Sequence, residues 1–281
     1  MPKRATIDWS EQVKSSGNNL PSRLVAHGVE GVGKTEFAAN APGAITIMTR
    51  GETGLETLID NGRVRDTPHF PETMEWDSLL SQIEWLTDAE HNYKTAVIDT
   101  LNGAERLCHE HVCKRDFRNN WGKDGFTSFQ QGYDAALGDW RELLGALDRL
   151  RETRRMAIIC LCHTRVATFK NPEGADYDRY VPDMHHKTWS LTHKWADHVL
   201  FANFYTSVVG GKAGDSELSS GKGKGRGGQD RVMYTVRHAA YDAKNRAGLP
   251  EEISMGSSGE EAWNNFIAEL QKAKAAGKVG E

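Results

Sequence analysis

LVAHGVEGVGKTEFAANA, residues 24–41, decides how the chain is read. An apolar run gives way to three glycines, a lysine and a threonine, and an alanine-rich stretch of helical character follows. Gly28, Gly33, Lys34 and Thr35 match the pattern G-x-x-x-x-G-K-[ST] residue for residue, between a predicted strand and a predicted helix. Glycine lets successive backbone N–H groups turn inward around phosphates. In such a loop Lys34 neutralises the β and γ oxygens and the Thr35 hydroxyl binds Mg²⁺. The segment therefore predicts a site for ATP and Mg²⁺ formed by Gly28, Gly31, Val32, Gly33, Lys34, Thr35 and Glu36.

The chain of 281 residues is long enough for one large or two small domains with a sizeable core. A formal net charge of −4, with 38% hydrophobic and 26% charged residues, offers no global attraction to nucleic acid. Any such binding has to come from a local patch. The opening MPKRATIDWSEQ holds no apolar signal core, and no window approaches the roughly 18 apolar residues of a membrane span. The expectation is a cytoplasmic protein with no membrane partner. Cys160 and Cys162 alternate in an apolar run and read as small buried hydrophobes. CHEHVC, residues 108–113, offers four nitrogen and sulfur ligands, but at a spacing that fits no common zinc motif and would not converge on a helix.

Apolar runs at 23–28, 43–49, 94–100 and 156–162 read as buried strands, and helical periodicity marks 34–41, 74–88 and 134–152. Residues 101–133 read as irregular. A helix at 188–195, strands at 198–205 and 231–239, and a terminal helix from 260 complete the pass. Alternating strands and helices predict an α/β fold with a mostly parallel sheet, helices on both faces and an antiparallel edge. The expected organisation is a flexible segment 1–21, an ATPase domain 22–252 and a C-terminal helix and tail 253–281. Within the domain, the glycine- and lysine-rich stretch 210–230 reads as a flexible hairpin tip.

A phosphate loop needs a carboxylate on the magnesium side at the end of a neighbouring strand, and TAVIDT supplies Asp99. Thr100 follows it, where AAA+ ATPases usually place their catalytic glutamate, so the chain has its water-activating base elsewhere or does without one. Glu52 stands just past the second strand, in RGETG; His163 closes the fourth; Lys244 and Arg246 stand two apart in AKNR, so that both face one way on an extended segment.

This order of motifs, over residues 22–252, resembles the phage-encoded RecA/Rad-like core P-loop ATPases of the single-strand annealing type. The resemblance implies a RecA-like core with Glu52 as the base and Glu56 as the fallback. It implies that His163 senses the γ-phosphate, and that Lys244 and Arg246 enter the nucleotide site of a neighbouring subunit in a homo-oligomer. In that group the second strand ends D-T-E-G-G; here Arg50 replaces the aspartate. The implied function is DNA-stimulated ATP hydrolysis on single-stranded DNA in phage recombination, in the host cytoplasm, with a single-strand-binding or other recombination protein as a further partner. Three stretches suit DNA by composition: 114–126 with Phe117, Trp121 and Phe126; 165–187 after the fourth strand; and Lys222, Lys224 and Arg226. The competing readings are a helicase-like motor or loader, and a nucleotide-gated switch for a protein partner. A small-molecule kinase is disfavoured for want of an arginine-rich lid.

Overall fold

The computed structural model describes residues 19–209 and 224–278. Strand β1 (Arg23–Gly28) leads into α1 (Lys34–Ala39), β2 (Ala44–Met48), α2 (Gly54–Asp60), α3 (Trp76–Asp88) and β3 (Thr95–Asp99). Then come α4 (Leu101–Phe117), α5 (Gln131–Arg154), β4 (Ala157–Phe169), β5 (Tyr177–Pro182) and α6 (His186–Trp195). The chain continues through β6 (His198–Val209), β7 (Lys224–Tyr234), β8 (Glu252–Ser254) and α7 (Gly259–Lys278). The sheet order is β2-β3-β4-β1-β6-β7-β8, with β5 paired to β4. Strands β2, β3, β4, β1 and β6 run parallel; β7 and β8 add the antiparallel edge. The α/β expectation, including that edge, holds.

Strand alternation sorts the core into two layers. Val25, Ile47, Ile98, Cys160 and Val199 face one way, against α3, α4 and α5. Leu24, Ala26, Val97, Leu161 and Leu200 face the other, against α1 and α7. Helix α7 is part of that second layer: Trp263 and Phe266 put their rings 5.3 and 5.7 Å from the Phe37 ring of α1. Cys160 and Cys162 share a face and are fully buried, and burial pushes both thiols up, Cys160 to about 12.

Two stretches depart from the sequence expectation. Residues 101–117, expected to be irregular, form α4. Its buried positions Leu101, Ala104, Cys108 and Val112 do recur at helical spacing, but alanine, cysteine and a buried Glu105 give that face little hydropathy contrast. The Thr100 hydroxyl caps the helix by accepting from the Gly103 N–H. On α4, Cys108 and Cys113 enter the core while His111 turns to Asp77 and Asp139, so the CHEHVC side chains diverge. Among the described residues no group of side chains could hold a metal ion by itself. The second departure is at 164–182, where β4 runs on past the sheet and pairs with β5 as a hairpin. Of the expected tip 210–230, residues 210–223 lie outside the described residues, as do 1–18, and from Lys224 onward the chain is already strand β7. No helix among the described residues is long and apolar enough to cross a membrane.

His27 is wholly buried between Phe201 and Trp189. Its Nε2 lies 2.6 Å from the Asp242 carbonyl and its Nδ1 3.0 Å from the Thr164 hydroxyl. Both contacts are satisfied by the neutral ring that donates from Nε2 and accepts at Nδ1. Burial dominates and pushes the imidazole down from 6.5 to about 4. The unfolded chain thus takes up this proton first: stability is whole above about pH 6.5 and declines as pH falls towards 4. Between pH 7 and pH 5 the loss from this residue is about 2 kcal/mol. Urea unfolding midpoints of the wild type and His27→Gln at the two pH values check this; the variant should show a shallower acid loss, and an unchanged one would clear His27.

Candidate nucleotide site

β1 ends at Gly28, where an added Cβ would lie 2.2 Å from the Ala202 carbonyl oxygen of β6; only glycine lets the two strands approach there. Gly31 and Gly33 then adopt φ of +71° and +94°, turning the backbone through a region that favours glycine. α1 starts immediately, with the Phe37 N–H donating to Gly33 O. Lys34 is only 8% exposed. Its Nζ donates to the carbonyls of Gly28 and Val29, both at 2.9 Å, and burial lowers its pKa against the pull of Asp99. Among the described residues it has no carboxylate in ion-pair contact. A buried ammonium held by carbonyls alone, facing an open cavity, fits an anionic occupant.

Thr35 stands beside it and donates from Oγ1 to Asp99 Oδ2 at 2.9 Å. Asp99 ends β3, and burial pushes its carboxyl up to about 6 although Thr35 pulls the other way. Hydroxyl and carboxylate side by side form the oxygen donor pair that suits Mg²⁺. Past β2, Gly51 at φ +91° and a turn in which the Glu52 N–H donates to Thr49 O bring Glu52 back over the sheet. Its Oε1 accepts from Thr100 Oγ1 at 3.1 Å and lies 3.0 Å from His163 Nε2. The pair reinforces itself: the histidine bond holds Glu52 below the usual carboxylate range, and the glutamate raises His163. Thr100 was legible only as the missing acid after Asp99; here its hydroxyl holds Glu52 in place.

Lys34, Thr35, Glu52, Asp99 and His163 thus line one cavity of about 480 Å³, although they come from the start of α1, the turn after β2, the end of β3 and the middle of β4, which continues beyond His163 instead of closing there because it pairs with β5. Glu56, the fallback base, is exposed on α2 and does not line it. Arg50 turns away to an ion pair with Glu110 of α4 and leaves Glu52 to His163 and Thr100. Lys244 and Arg246 do not join the cavity. Lys244 pairs its backbone with Val199 and puts Nζ on the His193 carbonyl. Arg246 reaches Asp197 at 3.0 Å, and Asp197 also holds Arg23, the first residue of β1. Both cations therefore sit at the N-terminal end of β1, opposite the phosphate loop of their own chain.

Two arginines at the cavity had no local sequence signal. Arg231 of β7 reaches Glu36 at 3.4 Å and the Val32 carbonyl at 3.3 Å, and Arg63, past α2, reaches the other oxygen of Glu36 at 2.6 Å. Of the three stretches suited to DNA, residues 114–126 are mostly exposed, Lys114, Arg115, Arg118 and Lys123 included, but their aromatics turn largely inward. Phe126 is fully buried against Phe117, Trp121 and Tyr133, and only Trp121, 43% exposed, offers a face. Of the third stretch, Lys222 lies outside the described residues, and Lys224 and Arg226 lie on β7.

No curated protein matches the chain. A family model described as AAA domain matches residues 20–247, which takes in β1 through β7, the phosphate loop, Asp99 and His163. The chain therefore belongs to the AAA-domain family of P-loop proteins.

Proposed function

We propose that the protein is an ATPase of RecA-like type that acts on single-stranded DNA in recombination or annealing. The observation that carries the ATPase reading is the convergence of Lys34, Thr35, Asp99, Glu52 and His163 on one cavity. Lys34 would hold the phosphates, and Thr35 with Asp99 the Mg²⁺. The bound nucleotide supplies a phosphoryl group for transfer to water. Glu52 is a carboxylate at neutral pH, fixed on one side by Thr100 and His163, and takes the proton of the attacking water at a carboxylate oxygen. Lys244 and Arg246, far from their own phosphate loop, would serve the nucleotide site of a second copy, and the working form would then be a homo-oligomer with nucleotide at its interfaces.

The link to DNA rests on the hairpin that continues from His163. The His163 N–H donates to Asn102 Oδ1 at 2.7 Å, Asn102 Nδ2 donates to Asp183 O at 2.5 Å, and the Asp183 N–H donates to His163 O at 2.9 Å. The base of the hairpin is thereby tied on both arms to the residue that contacts the catalytic glutamate. A change at Glu52 reaches the hairpin through packed, hydrogen-bonded groups. Arg165 and Lys170 on the hairpin are paired with Asp183 and Asp176, so DNA phosphates would have to displace acids, and a modest, salt-sensitive affinity is expected.

The test is steady-state ATP hydrolysis with and without a long single-stranded oligonucleotide at two salt concentrations. Stimulation that fades with salt is the expected result. Equal slow rates in both would favour the nucleotide-gated switch, with a protein partner captured only in the presence of ATP.

A further inference from the structure

Glu36 lies between two guanidinium groups at the mouth of the cavity. Its side chain is 6% exposed, with Arg63 on Oε1 at 2.6 Å and Arg231 on Oε2 at 3.4 Å, so the trio carries one surplus positive charge. All three line the cavity that holds Lys34 and Thr35. The two arginines are held very differently. Arg231 is 9% exposed and also donates to the carbonyls of Val32 and Gly256, so it is built into the wall. Arg63 is 59% exposed, and Glu36 is its ion partner.

The backbone under Arg63 is nonetheless rigid. α2 ends with Gly62 at φ +63°, the Gly62 N–H on Ile59 O and the Arg63 N–H on Leu58 O, the paired bonds of a Schellman cap. Val64 then packs with Ala39, Met48 and Leu55. A fixed Cα with a long, lightly tethered guanidinium at the mouth of an anion-binding cavity suits a side chain that changes partner. Guanidinium matches phosphate oxygens with two parallel N–H bonds, and Glu36 keeps Arg231 when Arg63 leaves.

We propose that Arg63 is a nucleotide-contacting residue: it leaves Glu36 when a nucleoside triphosphate binds and pairs with the phosphate oxygens, a cation supplied by the same chain that carries the phosphate loop. The proposal rests on the phosphate-loop reading. It is tested by the dissociation constants of ATP, ADP and adenosine, displacing a fluorescent nucleotide, for the full-length wild type, Arg63→Ala, Arg63→Lys and Lys34→Ala.

Arg63→Ala is expected to bind ATP about tenfold more weakly or worse, with adenosine unaffected, Arg63→Lys intermediate and the unfolding midpoint unchanged. Wild-type ATP affinity in Arg63→Ala, beside a clear loss in Lys34→Ala, would overturn the role of Arg63 and leave the phosphate loop standing. Wild-type ATP affinity in Lys34→Ala would remove the phosphate-loop reading and the proposal with it. An equal loss for adenosine and ATP would place Arg63 on the base or sugar and refute the phosphate contact.

Discussion

Lys34→Ala is expected to lose ATP binding by roughly 100-fold, about 3 kcal/mol, and to show no turnover above background. The ammonium is buried, bonded only to the carbonyls of Gly28 and Val29, and faces the cavity. In that position a phosphate replaces carbonyl contacts by charge-assisted bonds in a low dielectric, where each is worth more than in water. The fold should survive the change, because the two carbonyls released open onto the same cavity and can take water. Fluorescent-nucleotide titration, phosphate release and a thermal melt of the same preparation are sufficient. Unimpaired binding and turnover in a folded Lys34→Ala protein would end the nucleotide assignment.

Glu52→Gln separates binding from chemistry. Glutamine keeps the length and an acceptor for the Thr100 hydroxyl, but cannot take a proton from water. Turnover should fall by roughly 10²- to 10⁴-fold while ATP affinity stays within a few-fold of wild type. Loss of the carboxylate also frees His163 from its ion partner, which is a local change at a half-buried pair. Single-turnover hydrolysis with saturating enzyme reads the chemical step directly. A rate within about threefold of wild type would show that Glu52 is not the base; Glu56, exposed on α2 and outside the cavity, is no substitute in this arrangement.

What the sequence determined by itself was local. Glycines at 31 and 33 next to Lys34 and Thr35 dictate a backbone path whatever the rest of the chain does, because positive φ is open to glycine and strained for other residues. Asp99 and His163 were legible because each ends an unbroken apolar run, and a buried parallel strand shows as such a run. The layered α/β architecture followed from the alternation of such runs with helical periodicity.

Tertiary structure decided the rest, mostly through contacts between residues remote in sequence. The helix α4 is hidden in the sequence because its buried face mixes Leu101, Leu107 and Val112 with alanine, cysteine and a glutamate, which only packing against α5 and β4 identifies as inward. The aromatics at 117 and 126, suited by composition to stacking on bases, are spent on each other and on Tyr133. Lys244 and Arg246 share a direction as their spacing implies, but antiparallel pairing with Val199 sets them at the end of β1 away from their own phosphate loop. Glu36 meets Arg63 and Arg231 only because α1, the end of α2 and β7 are brought together by the folded sheet; side-chain type and spacing hold no record of a contact spanning 195 residues.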